Sequence, residues 1–429
     1  MILMLTLGLV VLLLLGLPVA LAVALSAFGA ILVSGSIVPL TAYAQKMQFG
    51  LQNFILVAIP LFILAAKLMN TAGITQKIFR FADTLVGFLP GGLAHANVVA
   101  SLIFAGMSGA AVVDAAGLGQ IELAAMTKNG YPIKFSVAVT GASSTIGPIF
   151  PPSLPMVVFS FVSGISVGRL FLGGVVPGLL MTVTLMLMVA FYAKKYHFPR
   201  QPFPTWRTAF QSLKDAFLPL LTPVILLGGI WLGVFTPTEA ASVAVTYALF
   251  IGVLVAKELT LKDVVQVFLE TARETAIIAF VVAASTLYGW VLMRSGLTIR
   301  IADWLLTISQ SPLVILLIIN FFLLVVGCFL DSTVAILILG PILMPVITKV
   351  GIDPVHFGVV MVLNLMIGLL TPPFGIVLFV MSQVSGLTFE DVVKATLPFL
   401  LPLFVVLVLI IFFPGLVTAL PNLLMGGAR

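Results

Sequence analysis

Long apolar runs, separated by short polar or Gly/Pro-rich strings, dominate the chain. Runs such as 221–234 and 397–413 are continuous rather than alternating, which excludes a β-barrel. Only helices satisfy that much backbone inside lipid. The pattern predicts one long or two short crossings over 2–36, interrupted at Gly16-Leu17-Pro18, and a span at 52–72. Residues 74–89 place apolar side chains at helical spacing beside Lys77 and Arg80, as in a helix lying along the interface. A long segment at 91–130 follows, then 132–166 with an internal break, then a span at 169–193. Residues 194–215 form the one clearly polar loop. Spans are predicted at 216–235, 237–256 and 274–294, and 297–309 repeats the interfacial pattern. A second long segment at 311–351 leads to an interrupted 354–385, a last span at 395–414 and a tail at 415–429.

Each of the two long segments has small or polar residues at its middle: Gly106-Met-Ser-Gly-Ala-Ala and Gly327-Cys-Phe-Leu-Asp-Ser-Thr. Two full crossings or a re-entrant helical hairpin would both fit. The polar midpoint favours the hairpin, because irregular backbone at membrane depth must meet protein or water.

These features recur. An offset of 221 residues links Gly106 to Gly327, Gly119 to Gly340, Thr127-Lys128 to Thr348-Lys349, Gly130 to Gly351, and Pro151-Pro152 to Pro372-Pro373. Leu and Val matches arise easily between apolar sequences; ordered Gly, Pro and Thr-Lys matches at a fixed offset indicate a duplication. If the hairpins do not cross, an odd number of spans separates the copies and inverts the second. The charges agree. Lys77, Arg80, Lys128, Lys134, the 194–215 cluster, Lys257, Lys262, Arg273 and Lys394 then share the cytoplasmic side. Inverted repeats with broken helices are the architecture of secondary transporters.

The predicted fold is an all-α polytopic membrane protein with an inverted repeat, two re-entrant hairpins and two discontinuous helices. Scaffold spans and an arm helix occupy 1–90 and 216–310. The hairpin, broken helix and following span of each repeat occupy 91–193 and 311–414, with the loop 194–215 between the repeats and the tail 415–429 after them.

Composition agrees. Hydrophobic residues make up 61% of the 429 and charged residues only 8%, against about 25% charged in an average soluble domain. Disorder, a nucleic-acid-binding domain and a secreted disulfide scaffold are excluded. The net charge of +6 reads as positive-inside topology. One cysteine, Cys328, permits no internal disulfide, and three dispersed histidines offer no zinc motif. The apolar N-terminus lacks a basic leader and reads as a retained membrane segment.

The candidate chemistry lies at the tips and breaks. The string from Gly141 to Ser153 interrupts one span, and Asn364 to Gly375 interrupts its repeat mate. Proline removes a backbone donor and clashes with a preceding carbonyl. Pro-Pro beside Gly, Ser and Thr therefore frees carbonyls and hydroxyls, which are hard oxygen ligands. The half-helix beyond each break presents amides and a positive dipole end. Ser108 and Gly109 mark the first tip; Asp331, Ser332 and Thr333 mark the second. Asp331 suits a cation ligand, an N-cap, or both. Asp114 is equally open to capping and function. Glu239 reads as a capping-box residue with Thr236 and Pro237, and Arg169 and Arg294 as snorkelling interfacial residues, with contact to substrate as the alternative.

Ile146-Gly-Pro-Ile-Phe-Pro-Pro-Ser153, Gly173–Gly178, Gly233-Val-Phe-Thr-Pro-Thr-Glu-Ala-Ala241, Phe329-Leu-Asp331 and Gly368-Leu-Leu-Thr-Pro-Pro373 resemble the large membrane subunit of tripartite ATP-independent periplasmic (TRAP) transporters. The resemblance covers essentially the whole chain. It implies an elevator-type fold in the cytoplasmic (inner) membrane and uptake of an organic acid anion, a C4-dicarboxylate or a sialic acid, driven by Na⁺. It implies as partners a small four-helix membrane subunit and a periplasmic binding protein, and no enzymatic activity. Carried onto this sequence, one Na⁺ site is expected at Ser108, Gly109, Ser143, Ser144 and Thr145, and a second at Gly327, Asp331, Gly368 and Thr371. The individual ligands follow from repeat symmetry. The anion is expected between them, at Ser108, Gly109, Ser153, Ser332, Thr333, Pro372 and Pro373. No organic cofactor is expected. A stand-alone carrier, exporter or channel needing no binding protein is the alternative. An intramembrane protease using Asp114 and Asp331 is the enzyme reading; neither Asp lies in a GxGD string.

Overall fold

The computed structural model describes residues 2–34 and 40–426, and among these there are helices and no strands. The apolar N-terminal run breaks at Gly16-Leu17-Pro18 into α1 (Ile2–Leu14) and α2 (Val19–Val33), which pack side by side. Residues 35 and 36 of that expected segment lie outside the described residues. Helices α3 (Leu40–Leu51) and α4 (Ala58–Thr71) follow. Helix α5 (Ile74–Val86) is amphipathic, burying Ile74, Ile78, Phe79 and Ala82 while Arg80 stays exposed.

The first long segment folds as α6 (Gly92–Ser108), a turn at Gly109 and Ala110, α7 (Ala111–Ala116) and α8 (Leu118–Lys128). The next forms α9 (Ile133–Ser144) and α10 (Leu154–Ser163), separated by the Pro-rich string, and then α11 (Val167–Tyr196). The second half continues through α12 (Trp206–Trp231), α13 (Pro237–Leu249), α14 (Leu261–Arg294) and α15 (Leu297–Ile308). The second tip joins α16 (Pro312–Gly327) to α17 (Ser332–Lys349). The second break separates α18 (Pro354–Leu369) from α19 (Ile376–Ser385). Helices α20 (Phe389–Thr396), α21 (Leu400–Phe412) and α22 (Gly415–Met425) complete the chain. The order α4–α11 thus recurs in α14–α21. Among the described residues seven helices are long and apolar enough to cross a membrane, and the chain is a multi-pass membrane protein.

Four boundaries depart from the sequence reading. The polar loop expected at 194–215 shortens to 197–205, because α11 runs on to Tyr196 and α12 already starts at Trp206, where Thr205 Oγ1 accepts from the Thr208 N–H at 3.2 Å. Helix α14 begins at Leu261 rather than near 274. A capping box starts it: the Thr260 N–H donates to Asp263 Oδ2 at 2.9 Å, and the Asp263 N–H returns to Thr260 Oγ1 at 3.3 Å. Its charged early turns are on the exposed side, and Lys67 of α4 reaches Glu274 at 2.7 Å and Glu270 at 3.5 Å. Charge there marks an exposed face of a helix and not its end. The expected span at 395–414 is present but starts earlier, running over Phe389–Phe412 as α20, a short 3₁₀ turn around Pro398, and α21. The expected tail at 415–429 is helical over Gly415–Met425 and packs along α11. Arg169 fastens it, donating to the Gly426 carbonyl at 2.6 Å and to Asn422 Oδ1 at 2.5 Å. The sequence left this residue between substrate contact and snorkelling, and the structure shows it bonded to the C-terminal helix. Thr236 and Glu239 do form the capping box expected of them.

The packing between repeats is crossed. Helix α6 packs on α9 and α16 on α18, so each first hairpin arm lies on the first half of its own broken helix. The second arms exchange: α7 lies against α19 of the other repeat, and α17 against α10. A second group of helices, α2, α3, α4 and α13, gathers around α14 and α12. Helix α5 bridges the groups by packing on α6 and α12, and α15 does so by packing on α17 and α14.

Candidate functional site

At the first tip, Gly109 has φ +64°, a left-handed conformation that favours glycine. Its Cα lies so close to the first break that an added Cβ would stand 2.5 Å from the Pro152 carbonyl oxygen. The Gly109 carbonyl accepts from the Leu154 N–H at 3.2 Å. The second tip repeats this bond, with the Gly375 N–H donating to the Cys328 carbonyl at 3.5 Å. In both repeats the tip carbonyl therefore meets the start of the half-helix beyond the break. Both Pro-Pro bonds, Pro151-Pro152 and Pro372-Pro373, are cis. At the second site Gly327 and Gly368 touch backbone to backbone: a Cβ on Gly368 would lie 2.5 Å from the Gly327 carbonyl carbon.

The side chains of the first site have divided roles. Ser108 donates to Asp114 Oδ1. Ser143 donates to Asn97 Oδ1 at 2.7 Å, and Ser101 donates to Ser143 at 3.0 Å. Ser144 and Thr145 return their hydroxyls to Gly141 and Ala142 carbonyls at 2.8 and 2.6 Å, which leaves their lone pairs as acceptors at the frayed end of α9. Ser153 caps α10, accepting from the Met156 N–H at 3.2 Å and donating to the Pro148 carbonyl. At the second site Thr371 donates to the Ile367 carbonyl at 2.8 Å. Asp331 caps α17, accepting from the Thr333 N–H at 2.8 Å, and Ser332 is buried beside it. Gly109 thus meets its break directly, Ser108 reaches it only through Asp114, whose Oδ2 lies against Gly147, and Gly327 meets Gly368. Ser143 turns toward α6, away from the tip.

The two half-helix starts differ. In α10 the Leu154 amide is used by Gly109, Met156 by Ser153 Oγ and Val157 by the Ser153 carbonyl, and Pro155 has none. In α19 the amides of Ile376 and Val377 have no partner among the described residues. That end of a helix is electropositive and free to donate.

The sequence reading missed a polar brace between hairpin and broken helix. In repeat 1, Asn97 donates to Thr140 Oγ1 at 2.7 Å and accepts from Ser143. In repeat 2, Asn364 donates to Asn320 Oδ1 at 2.6 Å and to the Asn320 carbonyl at 2.9 Å. Ser143 and Asn364 are related by the same offset of 221. A lone asparagine within an apolar helix is the available signal, since such residues hydrogen-bond across helices. Asn97→Ala leaves the Thr140 and Ser143 hydroxyls short of a buried partner. It is expected to destabilise the protein by roughly 1–2 kcal/mol, read as a lower melting temperature in detergent. An unchanged melting temperature would show that the brace carries no stability.

Buried carboxylates are the other feature. Asp114 and Glu122 are each 1% exposed, and Asp114 Oδ2 and Glu122 Oε1 have no partner among the described residues. A cavity of about 500 Å³ between α6 and α12 is lined by apolar residues including Leu102, Phe150, Pro223 and Trp231, and holds no charged side chain.

Comparison with known proteins places this geometry. Residues 6–416 match the model of the family described as "Tripartite ATP-independent periplasmic transporter, DctM component". The sialic acid TRAP transporter large permease protein SiaM of Vibrio cholerae is 49% identical over 383 residues, covering 89% of this chain and 90% of that protein. The sialic acid TRAP transporter permease protein SiaT of Haemophilus influenzae is 43% identical over 89% of this chain, and the match spans 62% of that longer protein. Among solved structures, the Alcanivorax borkumensis YdaH transporter, reported to have an unusual topology, superposes with a TM-score of 0.64 at 16% identity. That alignment covers 87% of this chain and 88% of that one, and it shows a shared fold.

Proposed function

Because the chain belongs to the DctM component family of tripartite ATP-independent periplasmic transporters, we propose that it is a large permease subunit that imports an organic acid anion coupled to Na⁺. Sialic acid is the first substrate to test, as both relatives named above carry it in their names; a C4-dicarboxylate is the competitor. The observation that carries the reading is the matched pair of tip-to-break hydrogen bonds, Leu154 to Gly109 and Gly375 to Cys328. Each repeat holds a polar tip against unwound backbone, the combination that lets a transporter bind ions at the bilayer midplane.

Na⁺ fits the donor sets. The first site offers the Ser108, Ser144 and Thr145 oxygens with nearby backbone carbonyls. The second offers Gly327, Gly368 and Thr371 with Asp331. The carboxylate of the substrate binds near the second break, because the unused Ile376 and Val377 amides head α19 there. Ser332 and Thr333 belong to the same tip as Cys328, whose carbonyl accepts from the Gly375 N–H at the head of α19. The acidic Asp331 opposes an anion until Na⁺ neutralises it, and this couples the two ligands.

The hairpins enter and leave the cytoplasmic membrane on one side. Helices α6–α11 and α16–α22 move together as an elevator against α1–α5 and α12–α15. A small membrane subunit braces the latter group, and a periplasmic binding protein delivers the anion.

Proteoliposomes holding this chain and its small subunit, with the binding protein outside, test the reading. Labelled sialic acid is expected to accumulate only with an inward Na⁺ gradient and the binding protein present. Equal uptake without Na⁺ would overturn the coupling, and equal uptake without the binding protein would favour a stand-alone carrier.

A further inference from the structure

The head of α12 presents an apolar face that the described residues do not cover. Trp206 is 92% exposed and Phe210 72%, and Leu213 and Phe217 are exposed after them. They recur at i, i+4, i+7 and i+11, which is one stripe of a helix. Ala216, off the stripe, is buried, so the helix turns another side to the protein. Arg207 and Lys214 run beside the stripe, one heptad apart, and both are exposed. The acidic Asp215 lies about 2.5 turns from Trp206 and so faces away from the stripe. Just before the helix, Lys194, Lys195 and Arg200 are exposed as well. None of these five cations forms an ion pair among the described residues.

Depth and tethering complete the site. Helix α12 has 26 residues, about 39 Å of helix against about 30 Å of hydrocarbon. Its charged residues all lie in its first turns, so the surplus length is at this end, at the level of the headgroups. The loop before it is fixed from inside. The Pro199 carbonyl accepts from the Gly91 N–H and from the Tyr131 hydroxyl, each at 3.2 Å, and the Gln201 N–H donates to the Gly87 carbonyl at 3.1 Å. Arg200, between Pro199 and Gln201, stays exposed. We infer that the head of α12, with the end of α11 and Arg200, docks anionic phospholipid headgroups of the cytoplasmic leaflet. The cations bind phosphate, and Trp206 and Phe210 enter the boundary between headgroups and acyl chains. Charge selects this occupant: aromatic side chains beside unpaired cations suit a surface that is apolar within and anionic at its edge. An apolar partner helix would leave Arg207 and Lys214 without counter-charge. Headgroups held there fix the depth of α12 and the outer side of the connection between the repeats. The inference does not depend on Na⁺ coupling.

The test is the fluorescence of Trp206 in the full-length protein, made the sole tryptophan by Trp231→Phe, Trp290→Phe and Trp304→Phe. The protein, with its small membrane subunit, is held in detergent micelles and titrated with phosphatidylglycerol or phosphatidylcholine, each brominated near the ester end of its chains. Phosphatidylglycerol is expected to quench Trp206 at a mole fraction at least about fivefold lower than phosphatidylcholine. Salt at about 1 M is expected to erase the difference. Arg207→Gln combined with Lys214→Gln is expected to bring the two lipids within about twofold of each other. Equal quenching by both lipids before the charges are removed overturns the inference, as does an undiminished preference after they are removed. Absence of quenching by either lipid overturns it too, and quenching that appears only when the small subunit is left out assigns the face to that subunit instead. If the triple variant fails to fold, the quenching lost on Trp206→Phe in the otherwise native protein gives the same comparison.

Discussion

Replacing Gly368 with alanine is expected to reduce uptake by roughly two orders of magnitude, and with valine to abolish it. The reason is contact between two backbones. An alanine Cβ at 368 would stand 2.5 Å from the Gly327 carbonyl carbon, 2.6 Å from its Cα and 2.8 Å from its oxygen. A flexible side chain can swing aside, but a helix end cannot. The second tip would have to lift from the second break, separating Gly327 and Gly368, two of the groups proposed to offer oxygen to Na⁺. The reverse change is milder. A Cβ on Gly327 would meet the Gly368 Cα at 3.2 Å, so a shift of a few tenths of an ångström relieves it. The expected order of damage is therefore Gly368→Val, Gly368→Ala, Gly327→Ala, measured as Na⁺-driven uptake normalised to the amount of protein in the vesicles. Wild-type uptake by Gly368→Ala would mean that the tight contact is not part of the working state.

The tips and breaks were legible in the sequence because glycine and proline state backbone conformation directly. Pro372-Pro373 within an apolar run can only end a helix, and Gly109 allows the left-handed turn found there. The fixed offset between the copies then supplied the topology. The partners of side chains were not legible. Asn97 and Ser143 lie 46 residues apart, and nothing local tells either that it will face the other. Asp114 looked equally like a helix cap because it follows the first tip closely. Only the three-dimensional turn shows its carboxylate directed back to Ser108. The start of α14 was misplaced for a related reason. Lys262, Asp263, Glu270 and Arg273 interrupt the apolar run before 274, yet they decorate the outer side of a continuous helix. Pattern reads burial well along one element and poorly where two elements supply each other's polar contacts.

The second large effect is expected at Asp331, where cap and charge can be separated. Its carboxylate accepts from the Thr333 N–H at the start of α17. Asparagine caps nearly as well as aspartate, whereas alanine forfeits about 1 kcal/mol of helix stability. If capping were the whole role, Asp331→Asn would transport normally and Asp331→Ala would be modestly impaired. If the carboxylate also binds Na⁺, both variants lose Na⁺-driven accumulation to a similar extent, by roughly tenfold or more. The Asn variant would nonetheless keep a normal melting temperature in choline. Coupling sharpens the distinction. An anion that docks at the free Ile376 and Val377 amides is opposed by an ionised Asp331 when Na⁺ is absent. Removing that charge should let substrate bind with less dependence on Na⁺, even as accumulation against a gradient fails. The measurement is substrate binding at zero and saturating Na⁺ beside gradient-driven uptake, for Asp331→Asn and Asp331→Ala. A wild-type ratio between the two binding values in Asp331→Asn would remove Asp331 from the coupling and leave it a helix cap.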